Sequence, residues 1–160
     1  MGGSSGLILG NDIAMLEQRA KQELAKSKPN IFISFAHEDI NLIQLFRGQS
    51  SNTDTTLNFS DYSVKQPYNS RNAEYIKLKI RERIKLSSTT IVMLSNNSSR
   101  SAWVNWEIKE SLAQGKGVIG ISLEKIPTKN LPVYFRKYDL KIVPWNHELI
   151  MKAIQDCRNN

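Results

Sequence analysis

A chain of 160 residues with 40% hydrophobic and 23% charged residues is long enough to close one well-buried core and too apolar for wholesale disorder. Its formal net charge of +7 would suit an anionic partner, yet the basic residues are dispersed (Lys77, Lys79, Arg81, Arg83, Lys85) and match no nucleic-acid-binding motif, so they read as a solvated surface and nucleic acid is not an expected partner. Apolar runs such as Ile91–Leu94 are far too short to cross a bilayer, the start lacks the features of a leader peptide, and a single cysteine, Cys157, permits no intrachain disulfide; a cytoplasmic protein without a membrane partner is expected.

Residues 1–28 read as a preface to the fold. "MGGSSG" (1–6) is a flexible Gly/Ser stretch. The strong helix formers that follow place Ile13, Leu16, Ala20 and Leu24 on one stripe, which predicts an N-terminal helix packed on the domain or on a partner. Residues 29–160 read as one domain. "IFISF" (31–35) is a β-branched and aromatic run suited to a strand buried on both faces. "HEDINLIQLFRG" predicts a helix opened by acids, with Ile40, Ile43 and Phe46 inward and Gly48 as its stop. "TTLNF" (55–59) is expected as the second strand, and the polar stretch 60–72 as a functional loop. A helix follows with Ile76, Ile80 and Ile84 as its core stripe. "TTIVMLS" (89–95) is the third strand. Another helix runs from near Ser101 to Gly115, "GVIGISL" (117–123) is the fourth strand, "KIVPW" (141–145) the fifth, and "HELIMKAIQDC" the last helix.

Alternating strands and helices build a parallel sheet covered on both faces. With the apolar first strand placed centrally, the expectation is a flavodoxin-like three-layer sandwich of about five strands in the order 2-1-3-4-5. Ligands in such sheets bind at the carboxyl ends of the strands, beside the switch point between strands one and three. Several chemistries are absent from that crevice. There is no GxGxxG after the first strand, no P-loop and no nucleophile elbow. His37 and His147 have no Cys or His at ligand spacing, so no metal site is expected. The third strand ends "MLSNN" rather than in an aspartate, which argues against phospho-acceptor chemistry.

What the crevice does hold is "SAWVNWEI" (101–108), in which Trp103 and Glu107 are four residues apart and share one helix face. Read by residue type alone, Glu107 is most simply a solvated acid. Asp61 could close an Asx-turn as readily as touch a ligand. Ser98, Ser99 and Ser101 suit helix caps. Trp106 is assigned to core or an interface, and Glu110 to solvent.

"FISFAHED", "NFSDYSV" and the block from Ser88 to Leu123, with its W-V-x-x-E-I helix followed by G-K-x-V-I, resemble a Toll/interleukin receptor (TIR) domain over residues 30–124. The bacterial TIR-like family of Thoeris anti-phage systems is the nearest subgroup. The resemblance implies that Glu107 is the catalytic glutamate and Trp103 the tryptophan one turn before it. It places Phe35, Ala36 and His37 in the first-strand loop that faces the nicotinamide riboside end of NAD, and Asp61, Tyr62 and Ser63 at the opening of the BB loop. The first loop reads "AHED" where many TIR enzymes carry a basic residue, so no pyrophosphate contact is assigned there.

The implied activity is cleavage of the nicotinamide–ribose bond of NAD, to ADP-ribose or a cyclic isomer, with NAD as substrate and no resident cofactor. That reaction passes through an oxocarbenium-like state, which a carboxylate near the ribose stabilises. Nicotinamide leaves as a neutral base from a cationic centre, so a general acid is dispensable. An aromatic face beside the carboxylate can pack on the ribose or pyridine ring and exclude water. The resemblance also implies homo-oligomers through TIR–TIR contacts and a downstream effector that senses the product. A non-catalytic TIR interaction module acting by self-association is the alternative.

Overall fold

The computed structural model describes residues 10–26, 28–52, 57–63 and 72–159. Five parallel strands, β1 (Asn30–Ser34), β2 (Ser60–Asp61), β3 (Thr89–Leu94), β4 (Gly117–Ser122) and β5 (Ile142–Pro144), form one sheet in the order β2-β1-β3-β4-β5. Around it lie α2 (Ile40–Ser51), α3 (Ala73–Leu86), α4 (Ala102–Ala113), α5 (Val133–Tyr138) and α6 (His147–Asn159), and α1 (Gly10–Lys26) precedes β1 in the chain. The strand order and the flavodoxin-like layering agree with the sequence expectation.

The two faces of the sheet are sorted by the period-2 alternation of its strands. Ile31 and Ile33 of β1, Ile91 and Met93 of β3, and Ile119 and Ile121 of β4 pack with Ile43 and Phe46 of α2 and Ile150 and Ile154 of α6. The residues between them point the other way. Val92, Leu94 and Val118 meet Val104 and Ile108 of α4 and Phe135 of α5, while Phe32 meets Ile80 and Ile84 of α3. All six residues of β3 are buried, as its apolar run requires of a central strand.

Two expectations are corrected. The second strand lies at Ser60–Asp61 rather than at 55–59, of which 55 and 56 fall outside the described residues. Leu57 and Phe59 are buried in the α2/α6 layer, and the ladder is made by the next two residues, opposite Asn30 and Ile31. Gly48 does not stop α2, which runs on to Ser51; the hydroxyls of Ser50 and Ser51 donate to the Arg47 carbonyl at 2.9 and 3.0 Å and so satisfy an acceptor of the last turn. A short helix, α5, follows Pro132 and closes at Asp139 in the left-handed conformation (φ 47°).

At the N-terminus the helix forms as expected, but Ile13, Met15 and Leu16 are exposed and none of its described side chains is buried. The "MGGSSG" start, the side chain of Leu24 and residues 64–71 of the polar loop lie outside the described residues. No helix among the described residues is long and apolar enough to cross a membrane.

Candidate active site

β1 and β3 are neighbours, but the chain leaves β1 toward β2 on one side and β3 toward β4 on the other. Their carboxyl ends therefore open a crevice. A cleft of about 600 Å³ occupies it. Phe35, His37 and Glu38, which follow β1, form one wall; Asn97, Arg100, Ser101 and Trp103, which lead from β3 into α4, form the other.

Polar side chains fasten the two walls together. Asp39 is buried and accepts hydrogen bonds from Ser95 Oγ at 2.5 Å and Asn97 Nδ2 at 3.2 Å. Ser98 Oγ donates to the Ser95 carbonyl at 2.8 Å and accepts from its N–H at 3.1 Å. Ser101 then caps α4 by accepting from the Val104 N–H at 3.2 Å. At the far end α4 stops before Gly115, whose φ of 71° suits a glycine.

Glu107 projects from α4 toward the end of β1. It is 8% exposed, and Ser34 Oγ, on the last residue of β1, donates to its Oε1 at 3.1 Å. Its backbone is also held: Ser111 Oγ donates to the Glu107 carbonyl at 2.8 Å and shares a 2.7 Å hydrogen bond with Thr90 of β3. Burial pushes the Glu107 carboxyl up from 4.5 to about 8, with the Ser34 hydrogen bond pulling the other way. Among the described residues no cation pairs with it. A carboxyl carried into the interior without a cation is costly, and such groups gather at functional sites.

Glu107 is not itself a lining residue of the cleft. It lies one turn along α4 from Trp103 and is bonded to Ser34, the neighbour of Phe35, and both Trp103 and Phe35 line it. Trp103 is 40% exposed and meets Trp106 edge to face at 6.0 Å. Trp106 packs on the Phe32/Ile80/Ile84 cluster, with Lys77 and Arg81 over its ring at 5.5 and 5.4 Å, in the core role expected of it. Glu110 is half-buried rather than solvent-facing, since its Oε1 lies 3.4 Å from Arg81 Nε and accepts from Gln114.

Of the residues singled out in the sequence, Phe35, His37 and Trp103 line the cleft, and Ala36 is buried between the first two. Asp61, Tyr62 and Ser63 are not lining residues. Asp61 pairs with Arg47 Nε at 2.9 Å and closes an Asx-turn onto the Ser63 N–H at 2.9 Å, with the Ser63 hydroxyl as a further donor. Arg47 links this turn to the cleft wall, for its guanidinium sits 5.4 Å from the centre of the Phe35 ring. Ser34, Asn97 and Arg100 were not singled out in the sequence. Ser34 carried a signal, a hydroxyl ending an otherwise apolar buried strand. Asn97 and Arg100 sit in a serine-rich loop that gives none.

The family model described as "Thoeris protein ThsB, TIR-like domain" matches residues 32–128, which contain both walls of the cleft and Glu107. The chain belongs to this family. No curated protein matches this Thoeris TIR-like domain. Solved structures similar to it include the TIR domain of the Toll-related receptor TRR-2 from Hydra magnipapillata, with 15% identity, 81% of this chain and 92% of that chain covered, and a TM-score of 0.49. Another is the Clostridium botulinum CMP N-glycosidase BcmB, with 14% identity, 82% and 99% covered, and a TM-score of 0.47. Likenesses of this degree say nothing of what the Thoeris TIR-like domain acts on.

Proposed function

We propose that the domain cleaves the bond between nicotinamide and ribose in NAD and serves as the signal producer of an anti-phage system, its product read by a downstream effector. The observation that carries this reading is the Glu107 carboxyl: buried, without a cation among the described residues, and fixed by Ser34 at the carboxyl end of β1 beside the cleft. With NAD lying between Phe35 and Trp103, the C1′–N bond breaks and its electron pair stays with nicotinamide, which departs neutral. The ionised Glu107 carboxylate then faces the positive charge that develops on the ribose. That charge, and the cationic pyridinium before it, favour the ionised form of the acid in the complex. Attack by water yields ADP-ribose and a proton, and attack from within the same molecule yields a cyclic isomer. Phe35 and Trp103 supply the apolar faces against which ribose and pyridine pack.

Mass-spectrometric analysis of NAD incubated at high protein concentration with wild type and with Glu107→Gln tests the proposal. Nicotinamide should appear with wild type and fall by at least about a hundredfold with the variant, as loss of an electrostatic stabiliser predicts. Equal release from both proteins, or none from wild type across concentrations and assembly states, would overturn it. The co-product mass separates hydrolysis from cyclisation. One observation favours the second reading, a TIR interaction module: the exposed apolar residues of α1 offer a surface for self-association. Assembly that is indifferent to Glu107→Gln, with no turnover, would decide for it.

A further inference from the structure

We infer that Arg100 is the phosphate anchor of the cleft, the residue that selects a diphosphate-bearing substrate over its phosphate-free nucleoside. The inference rests on the NAD reading above and deepens it. Among the described residues, three ionisable side chains line the cleft, His37 and Glu38 on one wall and Arg100 on the other. Two polar neighbours of Arg100 already hold partners within the fold: the Asn97 amide donates to Asp39 at 3.2 Å, and Ser101 Oγ accepts from Val104 N–H at 3.2 Å. The Arg100 guanidinium, by contrast, has no hydrogen bond or ion pair among the described residues, and the residue is exposed.

The base of that side chain is nevertheless fixed. Arg100 ends the 3-10 turn Ser98–Arg100, whose first residue is bonded twice to Ser95, and its own N–H donates to the Asn97 carbonyl at 3.2 Å. A rigid root and an uncommitted planar fork suit bidentate capture of phosphate oxygens, because little backbone ordering remains to oppose binding. Glu38 on the facing wall repels phosphate. The two charges thus polarise the cleft across its width, directing the diphosphate toward Arg100 and leaving Glu38 to hydroxyl groups.

Two measurements on Arg100→Gln and Arg100→Lys test this. Calorimetric titration with ADP, which carries the diphosphate but no nicotinamide, reads the anchor without any turnover. Affinity should fall about tenfold to a hundredfold with glutamine, as loss of a charge-assisted pair predicts, and less with lysine, which keeps the charge but not the fork. The affinity of wild type should weaken with added salt more steeply than that of Arg100→Gln. In turnover, Arg100→Gln should lower kcat/KM for NAD far more than kcat/KM for nicotinamide riboside, which carries no diphosphate. ADP affinity equal in wild type and Arg100→Gln, or no ADP binding by wild type, would overturn the inference. Arg100-dependent ADP binding by a protein that never cleaves NAD would remove the proposed reaction and leave the phosphate site standing.

Discussion

The Glu107 carboxyl is held by the fold against its own chemistry. Between its ordinary value of 4.5 and about 8, the folded chain retains a proton that the unfolded chain has already released. Its contribution to stability is therefore complete below 4.5, declines as pH rises across that window at up to about 1.4 kcal/mol per pH unit, and is flat above 8. Glu107→Gln removes this slope while preserving an acceptor for Ser34. Denaturant unfolding should show the variant gaining on wild type between about pH 5 and pH 8; the same difference at both pH values would refute the assignment. Turnover should show the opposite preference, with kcat/KM rising with pH toward a limb near 8 in the free enzyme. Ser34→Ala, which deletes the hydrogen bond that favours ionisation, should shift that limb to higher pH. An unmoved limb would mean that Ser34 does not tune the acid. Glu107 was legible because a helix motif surrounds it. Its burial was not, because that depends on a strand far away in the chain, and spacing along α4 alone reads an acid as solvated.

At the scale of elements, long and strongly patterned segments were readable and short ones were not. β1, β3, β4 and the helices α3, α4 and α6 each carry enough apolar residues to declare their period. β2 forms only two ladder pairs, so the buried Leu57 and Phe59 before it mimic the strand. α5 spans 6 residues, fewer than two turns, and leaves no periodic trace. Its place is instead written into Gly120. A Cβ there would lie 2.5 Å from Leu94 Cδ1 and 2.7 Å from Phe135 Cε1, both on buried side chains. Gly120→Val should destabilise the domain by about 1–3 kcal/mol or more through overpacking of α5 on β4. Gly48 provides the contrast, since it lies inside α2 and an added methyl there would meet nothing within 4 Å. Gly48→Ala should stabilise by roughly 0.5–1 kcal/mol. Urea unfolding of both variants checks the pair, and opposite signs are expected.

Across the whole molecule, α1 is the helix with no buried side chain among the described residues. With Ile13, Met15 and Leu16 exposed, removing residues 1–28 should leave the thermal midpoint of the remaining domain unchanged while altering its assembly by sedimentation velocity. A lowered midpoint would show that the helix contributes to the fold, and identical sedimentation would end its role in association. Two distant parts of the chain meet at the hydrogen bond between Ser34 and Glu107, whose partners are 73 residues apart in sequence. A ribosome delivers β1 long before α4, and a contact of such separation closes only when the central strands have assembled. Until then the glutamate is an ordinary solvated acid with no strand end beside it. Under the proposed reaction, a nascent or truncated chain is therefore harmless to the cell's coenzyme supply, and the capacity to consume it arrives together with the finished fold.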